Sequence, residues 1–243
     1  MTAQALSFAD PAPRRSACGG VAATVAGTRT VMRASGALWL ATSKTLIVSD
    51  LHFEKGSAFA ARGQLLPPYD TRDTLERLDA EVEALSPRTL VFLGDTFHDG
   101  KAEDRLHPAD RDRIAALASG RTLVWITGNH DADGPRALPG LTVEEMHVES
   151  LVLRHEPSAG PAPGEAAGHL HPCARVVAFG RSTRSRCFAT DGERVILPAF
   201  GAYAGGLNVR DAAFVGLFCA PPLLVAITRE KAHALKWRAC VPD

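Results

Sequence analysis

Leu75, Leu78, Val82 and Leu85 recur at steps of three and four residues, the stripe that one face of a helix turns toward a core. The pattern predicts a helix with Asp70 or Thr71 as its N-cap and Pro87 as its stop. Residues 89–93, TLVFL, form a nearly unbroken apolar run of strand length that ends in Gly94-Asp95. A second helix is expected over residues 108–118, with Ile114, Leu117 and Ala118 inward and Gly120 at its end, and it delivers a third run at 122–127. Together these segments read β-α-β-α-β. Short β-like pieces at 30–32, 37–41 and 45–48 precede them as a meander. After Asp131, strands are expected at 141–147, 150–154, 176–179, 186–189, 194–197 and 223–228, with residues 157–168 as a surface loop. Helices early and strands late predict an α/β fold of two packed β-sheets flanked by helices. Residues 1–27, rich in Ala, Gly, Pro and Ser without a period, read as a frayed leader ahead of a single domain at 28–243.

What stands at the strand exits changes the picture. Asp50 and His52, Asp95, Asn129 and His130, His155, and His169 and His171 each follow an apolar run or sit in a Gly-led turn beside one. In open α/β sheets ligands sit at the carboxyl ends of strands, so these residues are expected to meet. Carboxylate, imidazole and amide donors with no thiolate suit manganese, iron or zinc rather than calcium, whose sites are all oxygen. The D-x-H and H-x-H spacing places two donors on one face if the chain is extended there.

The ordered blocks D-x-H (50–52), G-D (94–95), G-N-H-D (128–131), His155 and G-H-x-H (168–171) resemble the calcineurin-like, binuclear metallophosphoesterase superfamily. SDLHFEKGSAFAARGQLLPPYDTRDTLERL, LGDTFHDG, the HLHP block and LPAFGAYAGGLNV are further similar to the PdeM group of bacterial ligase-associated DNA-damage-response endonucleases. That resemblance implies two divalent ions, with Mn²⁺ preferred and iron or zinc as alternatives. Asp50, His52, Asp95 and His171 would hold one, and Asp95, Asn129, His155 and His169 the other. It implies in-line attack on phosphorus by a hydroxide that the metal pair activates, with His130 as general acid or charge stabiliser and Asp131 orienting it. It also implies single-stranded or flapped DNA as substrate, in a repair setting beside an ATP-dependent DNA ligase, a helicase and an exonuclease.

Composition adds limits. Lys+Arg and Asp+Glu are 27 each among 243 residues, so the molecule as a whole offers no electrostatic footprint for a polyanion, which must be held locally. The one dense basic cluster is RSTRSR, residues 181–186. Arg181 and Arg184 there, with Lys55 and Arg62 after the first block, are candidate phosphate contacts, a solvated hairpin being the plain alternative. Phe53, Phe59, Tyr69, Phe97, Phe200 and Tyr203 are candidates for base stacking, most of them expected in the core. His98 and Asp99 are expected in a turn behind the ligands, and Cys173 as a small buried thiol. The five scattered cysteines, with no C-x-x-C pair, fit a reducing cytosol. No apolar run approaches the about 18 residues of a membrane span, and the first residues are unlike a signal peptide, so a cytoplasmic protein without membrane contact is expected. The rival functions are a phosphoesterase for small substrates such as cyclic nucleotides, dinucleoside polyphosphates or monoesters, and a non-catalytic scaffold of the same fold.

Overall fold

The computed structural model describes residues 14–15, 19–229 and 231–243. Its first sheet has eight strands in chain order: β1 (Arg14–Arg15), β2 (Val21–Val25), β3 (Thr28–Met32), β4 (Leu38–Leu40), β5 (Thr45–Val48), β6 (Thr89–Leu93), β7 (Thr122–Ile126) and β8 (Leu141–Val143). Neighbours are antiparallel up to β5, and β5 to β8 are parallel. The connections between the parallel strands carry α1 (Lys55–Ala60), α2 (Asp70–Leu85), α3 (Ala102–Arg105) and α4 (Pro108–Ala116). The second sheet contains β9 (Glu145–Val148), β10 (Leu151–Arg154), β11 (Glu165–Ala167), β12 (Cys173–Ala178), β13 (Arg181–Thr190), β14 (Val195–Ile196), β15 (Leu223–Ile227) and β16 (Ala232–Lys236). Their order is β16-β15-β13-β14-β11-β10-β9, with β12 paired to β13.

The alternation of side chains along each strand assigns the two faces. Ile47, Val91, Leu93, Val124 and Ile126 point between the sheets, where they meet Leu151, Leu153, Phe188, Val195 and Val225. Their neighbours Leu46, Val48, Leu90, Phe92, Leu123 and Trp125 point the other way, onto Leu75, Leu78 and Val82 of α2 and Ile114 of α4. Burial of both faces is why these strands read as continuous apolar runs. The outer face of the second sheet, with Cys187, Ala189, Ile196 and Leu224, is covered by Val209, Phe214 and Leu217 rather than by a long helix. No described helix is long and apolar enough to cross a membrane.

Several elements differ from the reading of the sequence. Residues 21–25, placed there in the leader, form β2, whose Val21 and Val25 are buried between the sheets; residues 1–13 and 16–18 lie outside the described residues. Residues 141–147 are not one strand: β8 extends the first sheet, and from Glu145 the chain belongs to the second. The expected loop at 157–168 ends in β11, a buried strand wedged parallel between β10 and β14. Residues 176–179 and 186–189 are parts of one long β12–β13 hairpin. The helix over Asp70–Leu85 has Tyr69 at its N-cap; Asp70 lies inside, its carboxylate accepting from the N–H of Gly56 at 2.9 Å and so fastening α1 to α2.

Candidate metal centre

Parallel pairing puts strand exits side by side. Val48 of β5 is in register with Phe92 of β6, and Phe92 with Trp125 of β7, so Asp50, Asp95 and Asn129 emerge along one edge. In the second sheet Arg154 of β10 is in register with Ala167 of β11, which brings out His155 and then His169 and His171. Both sheets open on the same place. Asp50, His52 and His171 offer donor atoms that all lie within 4.8 Å of one another, as do Asp95, His155 and His169.

Asp95 stands between the two groups. Its Oδ1 is 3.4 Å from His155 Nε2 and its Oδ2 is 4.0 Å from His52 Nε2. Asn129 Oδ1 is 3.0 Å from both His155 Nε2 and His169 Nδ1, and His171 Nε2 is 3.0 Å from Asp50 Oδ1. All seven residues expected as ligands therefore converge. They do not converge by extended alternation: Asp50, His52, Asp95, His169 and His171 all have φ between 45° and 65°, the left-handed region that side chains other than glycine avoid. Successive left-handed turns, not a pleat, aim both members of D-x-H and H-x-H inward.

Small residues make this possible. A Cβ on Gly94 would collide with the His155 ring, on Gly128 with Asp95, and on Gly168 with Ser49 and Asp50. Hydrogen bonds set the tautomers. His155 Nδ1 donates to the Leu93 carbonyl (3.1 Å) and His171 Nδ1 to that of Gly205 (3.2 Å), so each ring turns Nε2 toward the centre. Ser49 Oγ and the His169 N–H donate to Asp50 Oδ2 at 2.6 and 3.1 Å, leaving Oδ1 facing inward, fully buried and without an aligned donor.

Titration behaviour matches a cation site. Burial would raise Asp95, but its hydrogen bond and charge contact with His155 hold it down at about 2. Burial pushes His52 down to about 3, a neutral donor. His155 is driven up to about 9 because the hydrogen bond to Asp95 and the charges of Asp50 and Asp95 outweigh its burial. Buried, inward-facing carboxylate oxygens with fixed imidazole tautomers fit divalent ions of the kinds that take mixed N and O donors.

His130 lies beside these two groups and forms, with His52 and His98, a third set whose donor atoms lie within 4.8 Å of one another. Its Nδ1 donates to the His98 carbonyl (2.7 Å), its ring stacks on that of His98, and Nε2 faces the mouth 3.9 Å from Asp95 Oδ2. His98 thus stands behind the centre, in the turn where the sequence places it, though nothing in its spacing announces the contact with His130. Asp131 does not orient His130. Its buried carboxylate instead accepts from the N–H groups of Asp95, Thr96, Phe97 and Gly128 at 2.8–3.1 Å, a knot that fixes the turn after β6. Asp99 is engaged by Arg105.

Of the expected phosphate contacts, Lys55 heads α1 with Nζ 5.8 Å from the Phe59 ring centroid, and Phe59 in turn approaches His98, so Lys55 stands beside the centre. Burial lowers His98, and the charges of Lys55 and Arg62 add to it. Arg184 is not a free grip: its guanidinium donates to Gly206 O (2.6 Å) and to Asp243 (3.2 Å). Arg181 lies at the far end of β13, opposite Ala178. Phe53, Phe97 and Phe200 are core residues, whereas Tyr69 is 55% exposed. Cys173 is buried and outside both donor groups.

Residues 43–177 match the family of calcineurin-like phosphoesterases. Among solved structures, the chain is 30% identical to a nuclease, MPE, of Pseudomonas putida, with a TM-score of 0.69 over 89% of this chain and 100% of that one. Yfce, a phosphoesterase from E. coli, is 14% identical with a TM-score of 0.38, over 79% of this chain and 98% of that one. No curated protein matches the chain.

Proposed function

The chain belongs to the calcineurin-like phosphoesterase family, a hydrolase of phosphoester bonds, and from that premise we propose that it is an endonuclease cutting single-stranded or flapped DNA with two manganese ions. The observation that carries the reading is Asp95, with one oxygen toward each of two donor groups. Asp50, His52, Asp95 and His171 would hold one ion and Asp95, Asn129, His155 and His169 the other. Bound there, a pair of divalent ions supplies an activated water and neutralises attacking and leaving oxygens.

The chain's own groups do the rest. His130 Nε2, held toward the mouth by the His98 carbonyl, delivers a proton to the departing oxygen. Asp131 keeps Asp95 in place by holding the backbone around it. Lys55 and Arg62 draw the phosphate backbone in, being the cations whose charges reach His98 beside the centre, whereas the cavity of about 270 Å³ next to Asn129 and His130 is lined by Asp99, Glu103, Asp133 and Arg136. A cytoplasmic repair setting alongside an ATP-dependent ligase, a helicase and an exonuclease completes the proposal.

A second reading is a small phosphodiester substrate, for which the donor groups around Asp95 would suffice without any basic track. One experiment separates them: a labelled single-stranded DNA circle is incubated with purified protein and each divalent metal in turn. Linearisation with Mn²⁺, lost in Asp95→Ala, is the expected result. An intact circle under conditions that hydrolyse a small diester would reject the endonuclease reading.

A further inference from the structure

Phe179 bears two costs that the fold does not repay. It is a bulky aromatic in the left-handed region, φ 50°, and its side chain is 105% exposed. With Gly180, φ 72°, it forms the two-residue turn of the β12–β13 hairpin, where Ala178 pairs with Arg181. An Asn or Gly would make that turn without strain, and a polar residue would leave nothing apolar in water. Val177, two residues back, is also 52% exposed, and Arg181 follows the turn with an exposed guanidinium.

The stem below this tip is braced. Arg175 donates to the Pro242 carbonyl (2.8 Å) and to Ser182 (2.9 Å), and its own carbonyl accepts from the Val241 N–H (2.9 Å). Arg184 holds Gly206 and Asp243. The root is pinned where Cys173 exchanges hydrogen bonds with Leu207 and Val209, two residues beyond His171. So Arg175 and Arg184 stiffen the hairpin, and what it presents at its end is an aromatic ring with one cation, Arg181, beside it.

We propose that this hairpin is a nucleic-acid finger, Phe179 stacking on an unpaired base of the strand under attack and Arg181 meeting an adjacent phosphate. The proposal rests on the nuclease reading above and adds where the strand runs. Base stacking on an aromatic is indifferent to sequence and suits a single strand, whose faces are open. The six residues of β12, at about 3.3 Å each, set the tip on the order of 20 Å from the metal centre, roughly six stacked nucleotides at about 3.4 Å. Only a substrate of that length reaches it.

The test compares wild type, Phe179→Ala, Phe179→Trp and Arg181→Ala, all with Mn²⁺, on a long single-stranded oligonucleotide and on bis(p-nitrophenyl) phosphate. Phe179→Ala should lower kcat/KM on the oligonucleotide about 5- to 150-fold, the span of one lost stacking contact, and leave the small diester unchanged. Phe179→Trp should retain activity, and Arg181→Ala should reduce the salt dependence of oligonucleotide binding by about one unit of slope. Equal oligonucleotide cleavage by wild type and Phe179→Ala overturns the finger alone. Parallel loss on both substrates overturns it in favour of a role in folding, and a change in sedimentation on Phe179→Ala does so in favour of self-association. A wild type that turns over the diester and no oligonucleotide overturns the nuclease reading itself.

Discussion

His130 and Asp131 are neighbours in sequence with separable duties. His130 shares a donor set with His52 and His98, but its Nδ1 is spent on the His98 carbonyl and its ring is 39% exposed, so His130→Ala should keep its metal while losing about 10²- to 10⁴-fold in rate, the usual contribution of a positioned proton donor. Metal analysis of the purified variant beside a nuclease assay checks this; loss of metal with activity would make His130 a ligand. Asp131→Ala should behave in the opposite way. It strands four backbone N–H groups, at about 1–3 kcal/mol for each one that stays out of reach of water, and it loosens the turn carrying Asp95. A lowered melting temperature together with reduced metal content is expected, and a stable, fully metallated Asp131→Ala protein would contradict the knot. Asn is no rescue there, since its amide would point a donor at donors.

At the scale of elements, the second sheet depends on a buried ion pair. Arg194, 1% exposed, meets Glu165 of β11 at 2.9 Å and donates to the carbonyls of Leu217 and Ser158. It ties the β11 strand, the covering segment at Leu217 and the loop at Ser158 together. Arg194→Ala leaves the buried Glu165 with the Ser158 hydrogen bonds and the more distant Arg154 alone, at a cost of up to about 3–5 kcal/mol in chemical unfolding. Replacing both partners with apolar residues should recover much of that loss, and if the double variant were no better than the single, the charge would not be what matters. This pair also explains why β11 escaped the sequence reading. EAA after a Pro- and Gly-rich run looks like loop, and the glutamate lies inside a sheet because Arg194, far along the chain, joins Ser158 and Arg154 in meeting its carboxylate.

At the scale of the whole molecule, the metal centre joins the two sheets. Asp50, His52, Asp95 and Asn129 follow strands of the first, and His155, His169 and His171 strands of the second. A cation held between them should act as a clamp. Chelation should lower the melting temperature, and manganese at about 100 times its dissociation constant should return about 2.7 kcal/mol, read as a shift in the denaturant midpoint. An identical midpoint with and without chelator, for protein shown to bind the ion, would mean that the sheets hold the site together unaided. With 27 basic and 27 acidic residues balanced, salt should affect nucleic-acid binding only through local contacts such as Lys55 and Arg62.

The chain written out already determined the layered core and the chemistry of its edge. Strands 89–93 and 122–126 and the helix over 70–85 were legible because burying both faces of a strand demands apolar runs and burying one face of a helix demands a stripe. The seven donors were legible because their residue types stand at strand exits in order. Tertiary structure alone decided how they converge, since left-handed turns at Asp50, His52, Asp95, His169 and His171 carry no compositional signal and persist only because packed neighbours over-determine them. It alone decided that Asp131 binds backbone and that Arg184 braces rather than grips. A side chain's partner depends on what folds back to meet it, and that distance in sequence is where local pattern ends.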